Sequence, residues 1–322
     1  WRHRRHALVS EPLSQPLSQP LSQPLSGADV EVLIPAFDRE GATAVTLTSL
    51  LGQQVQPRRV LVSDQSPTGI VCSSPLVAGV ARVLRSRGIA VELLHHPSGA
   101  GVTENRAFLL SQASAPYVVF CDDDIVLGPE VLARMLGAMS ELRCGLVAQA
   151  MTGLSFVDDV REREWGAFEP LAPDEPVAQE RIRKGDPAWE RWRLHNAANP
   201  THLAGRLGLD PASPAWAAYR IAWAAGCVLL DRAVLSATGG FDFWAELGAD
   251  GYGEDVVVQL RVIEAAGGVG LLPTGAHHLE LPTTVGNRSN DAYELVLGSR
   301  AVDTPDRSAT RDGNLPCEPG HS

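Results

Sequence analysis

A chain of 322 residues with 44% apolar side chains can bury a sizeable core, and its length suits one large α/β domain carrying an insertion. A net charge of -11 argues against sequence-independent nucleic-acid binding, because neutralising phosphates needs a basic face, and no apolar run reaches membrane-spanning length. The widely spaced Cys72, Cys121, Cys144, Cys227 and Cys317 lack any CxxC pairing and read as reduced core residues, so the expected setting is cytoplasmic, with membrane-peripheral association left open.

Residues 12–26 read PLSQPLSQPLSQPLS, with too much proline for helix or central strand and too little apolar content for a core. The stretch 1–28 is therefore expected to be a disordered Pro/Ser/Gln leader. A strand at 30–35 follows, then an amphipathic helix at 42–53, a strand at 59–63, a helix at 76–87, a strand at 90–95, a helix at 103–112 and an apolar strand at 117–121. A helix after Pro129 and a strand at 146–150 continue the alternation. This rhythm predicts a Rossmann-like, mostly parallel sheet flanked by helices, with its ligand crevice beyond the carboxyl ends of the strands. Residues 152–215, with Trp165, Trp189, Trp192, the adjoining Trp216, several prolines and dense charge, break the rhythm and read as a helical and loop insertion. Beyond it lie a buried strand at 221–230, a helix from Arg232, a Gly-rich loop at 239–253, a helix at 254–266 and short strands near 269–272 and 276–281. The tail, 299–322, is expected to be flexible.

Acidic residues follow three of the strands: Asp38, Asp64, and the run Asp122, Asp123, Asp124. Gathered in one crevice they would repel one another unless a cation or hydroxyl groups lay between them. The triple carboxylate has two readings, an Asp-rich turn that caps the next helix or a DxD site whose outer members meet a ribose and a hard divalent cation. Gly253-Glu254-Asp255 likewise opens a helix, where the dipole favours acids, or supplies a general base. His277 and His278 are either a structural pair or, with His278 preferred, a ligand to Mn2+. The tryptophans of the insertion could stack on sugar rings or anchor it to the core.

Five segments together resemble the inverting family 2 glycosyltransferases of GT-A fold: 30–41 (VEVLIPAFDREG), 49–66 (SLLGQQVQPRRVLVSDQS), 101–106, 120–124 and 226–261. The resemblance implies a nucleotide-diphosphate sugar donor (UDP-, dTDP- or GDP-linked), a Mn2+ or Mg2+ ion, and transfer with inversion to a hydroxyl of a glycan, a lipid-linked or a small-molecule acceptor. It divides the domain, 29–298, into a nucleotide-sugar half at 29–151, the insertion at 152–215 and an acceptor and catalytic half at 216–298. By position, Pro35, Ala36, Phe37 and Asp38 match the loop that frames the nucleotide base, and Asp64 the carboxylate that contacts it. Arg106 matches the Arg of the third helix. Asp122 and Asp123 fall on the donor side, Asp124 at the metal, Asp255 at the catalytic base with Glu254 beside it, and Gly240, Phe241 and Asp242 in the loop framing the acceptor.

There are departures. Asp38 stands where Asn is frequent, Gln65 where a second acid is common, and Ala107 where Asn often sits. Gln259-Leu260-Arg261 lacks the QxxRW spacing of processive members, which favours single addition. Asp122 to Val126 also fits the DxDxV nucleophile loop of haloacid-dehalogenase-like phosphatases, but that chemistry needs a later lysine and Lys184 is the only one. A sugar nucleotidyltransferase would need a Gly-rich, basic loop after the first strand. A non-catalytic nucleotide- or glycan-binding protein of the same fold is the third alternative.

Overall fold

The structure is a computed structural model and describes residues 23–284 and 288–298. Strands β1 (Val30–Ala36), β2 (Arg59–Asp64), β3 (Ala90–His95) and β4 (Tyr117–Cys121) run parallel in the order β3-β2-β1-β4. Their connections carry α1 (Glu40–Leu50), α2 (Ile70–Ser73), α3 (Pro75–Ser86) and α4 (Val102–Gln112). The start of α3 is fixed by Pro75 in its first turn and by the Ser74 hydroxyl, which accepts from Val77 N–H.

The chain continues through β5 (Ile125–Leu127), α5 (Val131–Leu142), β6 (Leu146–Ala148), β7 (Thr152–Gly153), α6 (Asn199–Arg206), β8 (Ala217–Arg220), β9 (Cys227–Asp231) and α7 (Arg232–Ala237). It closes with α8 (Trp244–Leu247), β10 (Gly251–Tyr252), α9 (Glu254–Ala266), β11 (Gly268–Leu272), β12 (Ala276–His278) and β13 (Asn290–Asp291). The main sheet has eight strands in the order β3-β2-β1-β4-β9-β6-β11-β8, with only β9 and β8 antiparallel to their neighbours. The mostly parallel α/β architecture expected from the sequence is the one observed. Alternation along β1 feeds both layers: Val32 and Ile34 join one buried cluster and Leu33 the other.

The strand expected at 221–230 begins only at Cys227. Gln259 explains the shift, because its buried amide accepts from Ala224 N–H and donates to the Ala224 carbonyl, drawing this apolar segment off the ladder. Gly226 makes the turn into β9 at φ +97°, where a Cβ would lie 2.8 Å from Ile125 and Met151. The loop at 239–253 also contains α8 and β10, and β10 pairs with β13.

The insertion contributes 3₁₀ turns at Leu154–Phe156, Glu162–Ala167 and Pro187–His195, then α6. Its aromatic residues anchor it: Trp165 donates to Asn199, Trp189 meets Tyr293 edge on, and Trp192 stacks on Trp223. Buried Arg191 ties Glu169 to Glu180. At the other end, residues 23–28 of the expected leader have defined partners. Leu25 packs against the core and its N–H donates to Ser140, while Ser26 caps the 3₁₀ turn Gly27–Asp29. Residues 1–22 and the tail at 299–322, with Cys317, lie outside the described residues; among those described, all cysteines are free thiols and all but Cys72 are buried.

Candidate active site

Parallel pairing sets the carboxyl ends of β2, β1 and β4 side by side, with Ala36 in register with Asp64. The chain leaving β1 crosses the run Asp122, Asp123, Asp124 at close range. Phe37 N–H donates to Asp123, and Arg39 reaches Asp123 at 3.3 Å and Asp124 at 2.6 Å. Arg39 also donates to the Pro282 carbonyl, so this guanidinium joins β1's loop, the acidic run and the segment after β12.

On the other side of the run, Arg106 of α4 pairs with Asp122 at 2.8 Å and with Glu254 of α9 at 3.2 Å. Arg106 lies 5.8 Å over the Phe120 ring. A cavity of about 20 Å³, room for roughly one water, is lined by Arg106, Phe120, Phe241, Asp255 and Gln259 among others. Gly253, at φ +76°, turns the chain into α9 and sets Glu254 inward, while Asp255 stays half-buried and accepts only its neighbour's Val256 N–H.

Burial and mutual repulsion shape the protonation of these acids. Burial, reinforced by Asp124, pushes Asp123 up to about 7. Burial also raises Asp122, against the opposing pull of Arg106, and pushes Glu254 up to about 7 although Arg106 works the other way. Burial works to raise Asp124 too, but hydrogen bonding to His278 and the charge of Arg39 hold it below its ordinary value. His278 is raised chiefly by its hydrogen bond to Asp124, and burial lowers His277.

The imidazole of His278, expected beside the metal, stands against Asp124. Its Nδ1 accepts from Glu280 N–H at 3.0 Å, which leaves Nε2 to carry the proton toward Asp124 at 3.2 Å. In this arrangement His278 donates to the carboxylate. Among the described residues no group of three His, Cys, Asp or Glu side chains is placed to hold a metal ion. Asp124, buried at 3% exposure and already paired with Arg39 and His278 through one oxygen, is a hard carboxylate ligand by chemistry, and a cation that arrives on a diphosphate needs few protein oxygens.

Other expected site residues divide by exposure. Pro35 and Ala36 are buried in β1, while Phe37 and Asp38 face solvent, Asp38 at φ 51° with its N–H on Ser66. Asp64 is fully buried, and its two oxygens accept from Ser66 and Cys72 N–H, so here it holds the turn that follows β2. Phe241 is also buried, edge on to Phe120 at 5.2 Å, and is a wall of the cavity more than a face toward solvent. Gly240 N–H closes α7 on the Leu235 carbonyl, and Asp242 pairs with Arg261. The rival lysine, Lys184, is spent on Asp291 and Glu294.

Two groups escaped the sequence reading. Arg39 is one; its signal was only its place one residue after Asp38. The other is Glu104, which accepts from Gln65 and Ser98 and meets His96 at 2.8 Å, with His96 stacked on Phe108. Gln65 thus donates to an acid where a second acid would have repelled it.

Residues 31–184 match the family model described as Glycosyl transferase family 2, a span that holds Asp64, Arg106 and the run Asp122, Asp123, Asp124, and ends before α9. No curated protein matches the chain. Among solved structures, S. aureus TarS 1-349 is 17% identical with a TM-score of 0.47, over 78% of this chain and 60% of that one. The same TarS fragment in complex with UDP-GlcNAc is 16% identical with a TM-score of 0.46, over 79% of this chain and 59% of that one. A mannosyltransferase from Pyrobaculum calidifontis, in complex with GDP-Man and Mn2+, is 14% identical with a TM-score of 0.45, over 81% and 61%. This chain thus spans about three fifths of the length of those structures, and likeness at this level says nothing of residues or substrates. Among the described residues no helix is long and apolar enough to cross a membrane.

Proposed function

We propose that this chain transfers a sugar from a nucleotide-diphosphate donor to an acceptor hydroxyl, with inversion and one addition per encounter. The family match over 31–184 supports sugar transfer, and the observation that carries the residue assignment is Arg106 standing between Asp122 and Glu254. That guanidinium links the donor edge of the sheet to the start of α9, so the anomeric carbon would lie between them.

In this reading Asp255 takes the proton from the attacking hydroxyl, because a sugar hydroxyl is a poor nucleophile at neutral pH and needs a carboxylate in reach. It is the less buried of the two acids and lines the cavity, whereas Glu254 is committed to Arg106. Glu254 is the positioning residue: it fixes Arg106, which in turn orients Asp122 toward the donor ribose. Phe37 and Asp38, exposed beside Ser66, frame the base, and Asp64 supports them by holding the adjacent turn. Asp124 would hold a Mn2+ or Mg2+ ion carried by the diphosphate, where Arg39 now sits; when bound, such an ion spreads the charge that builds on the leaving diphosphate. Residues 29–151 then form the donor half and 216–298 the catalytic half.

The test is release of free nucleotide diphosphate from a panel of UDP-, GDP- and dTDP-sugars with Mn2+ or Mg2+, for the parent and for Arg106→Met. Donor-specific release that Arg106→Met removes supports the reading. Release of inorganic phosphate from phosphomonoesters, without any nucleotide sugar, would replace it with the phosphatase alternative.

A further inference from the structure

The four-residue repeat before the domain has no part in the chemistry above, yet its last copy is seated on the fold. Gln23, Pro24 and Leu25 line one side of a groove of about 490 Å³ whose other walls are Val55 and the α5 residues Ala133, Leu136, Gly137, Ser140, Glu141 and the capping Arg143. Leu25 rests on the core and its N–H donates to the Ser140 hydroxyl at 2.9 Å. The α5 side of the lining is apolar at Leu136, Ala133 and Gly137 and charged at Glu141 and Arg143.

We propose that this groove is a recognition site for the Pro-Leu-Ser-Gln repeat, and that its further occupant is the preceding copy in the same chain, Pro20-Leu21-Ser22. Three observations carry this. The groove is far larger than a water site and stays open beside Leu25, although one repeat already lines it. The preceding copy is covalently adjacent and identical in sequence, so the same proline and leucine that line the groove as Pro24 and Leu25 are offered again. The lengths also agree: four residues of polyproline II chain advance ~12 Å, and the α5 wall from Ala133 to Arg143 runs ~15 Å. A proline-rich strand loses little entropy on docking, which suits a shallow groove.

Photo-crosslinking in the full chain tests this, with p-benzoylphenylalanine replacing Leu21. Within one chain, the adduct is expected on the tryptic peptide 135–143, at a yield independent of protein concentration. Gly137→Glu puts a carboxylate into the groove lining at an exposed helical position where a Cβ meets only Trp216 at 4.0 Å, so the fold is kept. It should lower the yield roughly tenfold, since apolar contact with an unpaired carboxylate is unfavourable, while Gly137→Ala leaves the adduct in place. Excess peptide PLSQPLSQPLSQ should compete, and a scrambled peptide should not. An adduct elsewhere, an adduct between chains, or a yield indifferent to both Gly137→Glu and the peptide overturns the proposal.

Discussion

Asp255 and Glu254 are neighbours in sequence with opposite surroundings, and that difference sets their expected variants apart. Asp255→Asn keeps size and cannot take a proton, so transfer should fall by roughly 10²–10⁴-fold with donor affinity little changed, read from steady-state rates beside calorimetric binding. Near-parent turnover would move the base elsewhere. Glu254→Gln should also weaken the hold on Arg106 and hence donor binding, which separates positioning from proton transfer. A second residue-scale effect concerns pH. Asp123 is pushed from an ordinary 3.8 to about 7, so the folded chain binds its proton more tightly than the unfolded chain. Its contribution is full below about pH 4 and is lost as pH rises through 7, so Asp123→Asn should raise the melting temperature at pH 8 and change little at pH 4. Equal shifts at both values would contradict the buried, proton-holding environment. Asp38, Asp64 and the run Asp122 to Asp124 were legible in the sequence because each follows an apolar strand, and Glu254 and Asp255 because they open a helix. Their partners were not: nothing in the spacing told that Arg39 would fold back on Asp123 and Asp124, or that His278 would donate a hydrogen bond to Asp124.

At the level of elements, legibility followed periodicity. The bounds of β3, β4 and α9 agree with the sequence reading because two short apolar runs ended by polar residues and a Gly-flanked amphipathic run leave little choice of limits. Where a side chain competes for the backbone the reading failed, as with Gln259 holding Ala224 away from the β9 ladder. The end of the leader is a second such place. Low apolar content made 1–28 look like solvated chain, yet one leucine and a capping Ser26 suffice to tie its last residues to α5 and to the 3₁₀ turn. Removing 1–28 should therefore cost about 1–3 kcal/mol more than removing 1–22, the sum of one partly buried leucine and one hydrogen bond. Urea unfolding of the two truncations measures it; identical midpoints and slopes would show that the contacts of 23–28 contribute nothing.

Across the whole molecule, a break in rhythm and dense charge mark the insertion in sequence, and in space it closes the second core. Ile182, Leu194 and Leu203 join the cluster that contains Leu260, Ile263 and Leu272. His195 packs on buried Tyr219, with desolvation pushing the imidazole down to about 4 and keeping it neutral against the tyrosine hydroxyl at 3.0 Å. At its root, β7 pairs with β12, the strand that carries His278 to Asp124. Three large aliphatic side chains at about 1.5–3 kcal/mol each amount to much of the 5–15 kcal/mol that stabilises an ordinary domain. Replacing 158–212 by a short Gly-Ser linker should therefore abolish cooperative unfolding, because it strips one face of α9 and β11 while leaving the apolar residues there in water. Milder surgery should grade the effect: Leu194→Ala opens a cavity at the centre of this contact and is expected to cost about 2–5 kcal/mol, felt as a lower melting temperature of the entire domain. Calorimetry distinguishes the outcomes. A single transition that moves down as a unit in Leu194→Ala means that the insertion and the sheet share one core, whereas a linker variant that still melts cooperatively near the parent temperature would mean that 29–151 and 216–298 form the stable body and the insertion only rests on it.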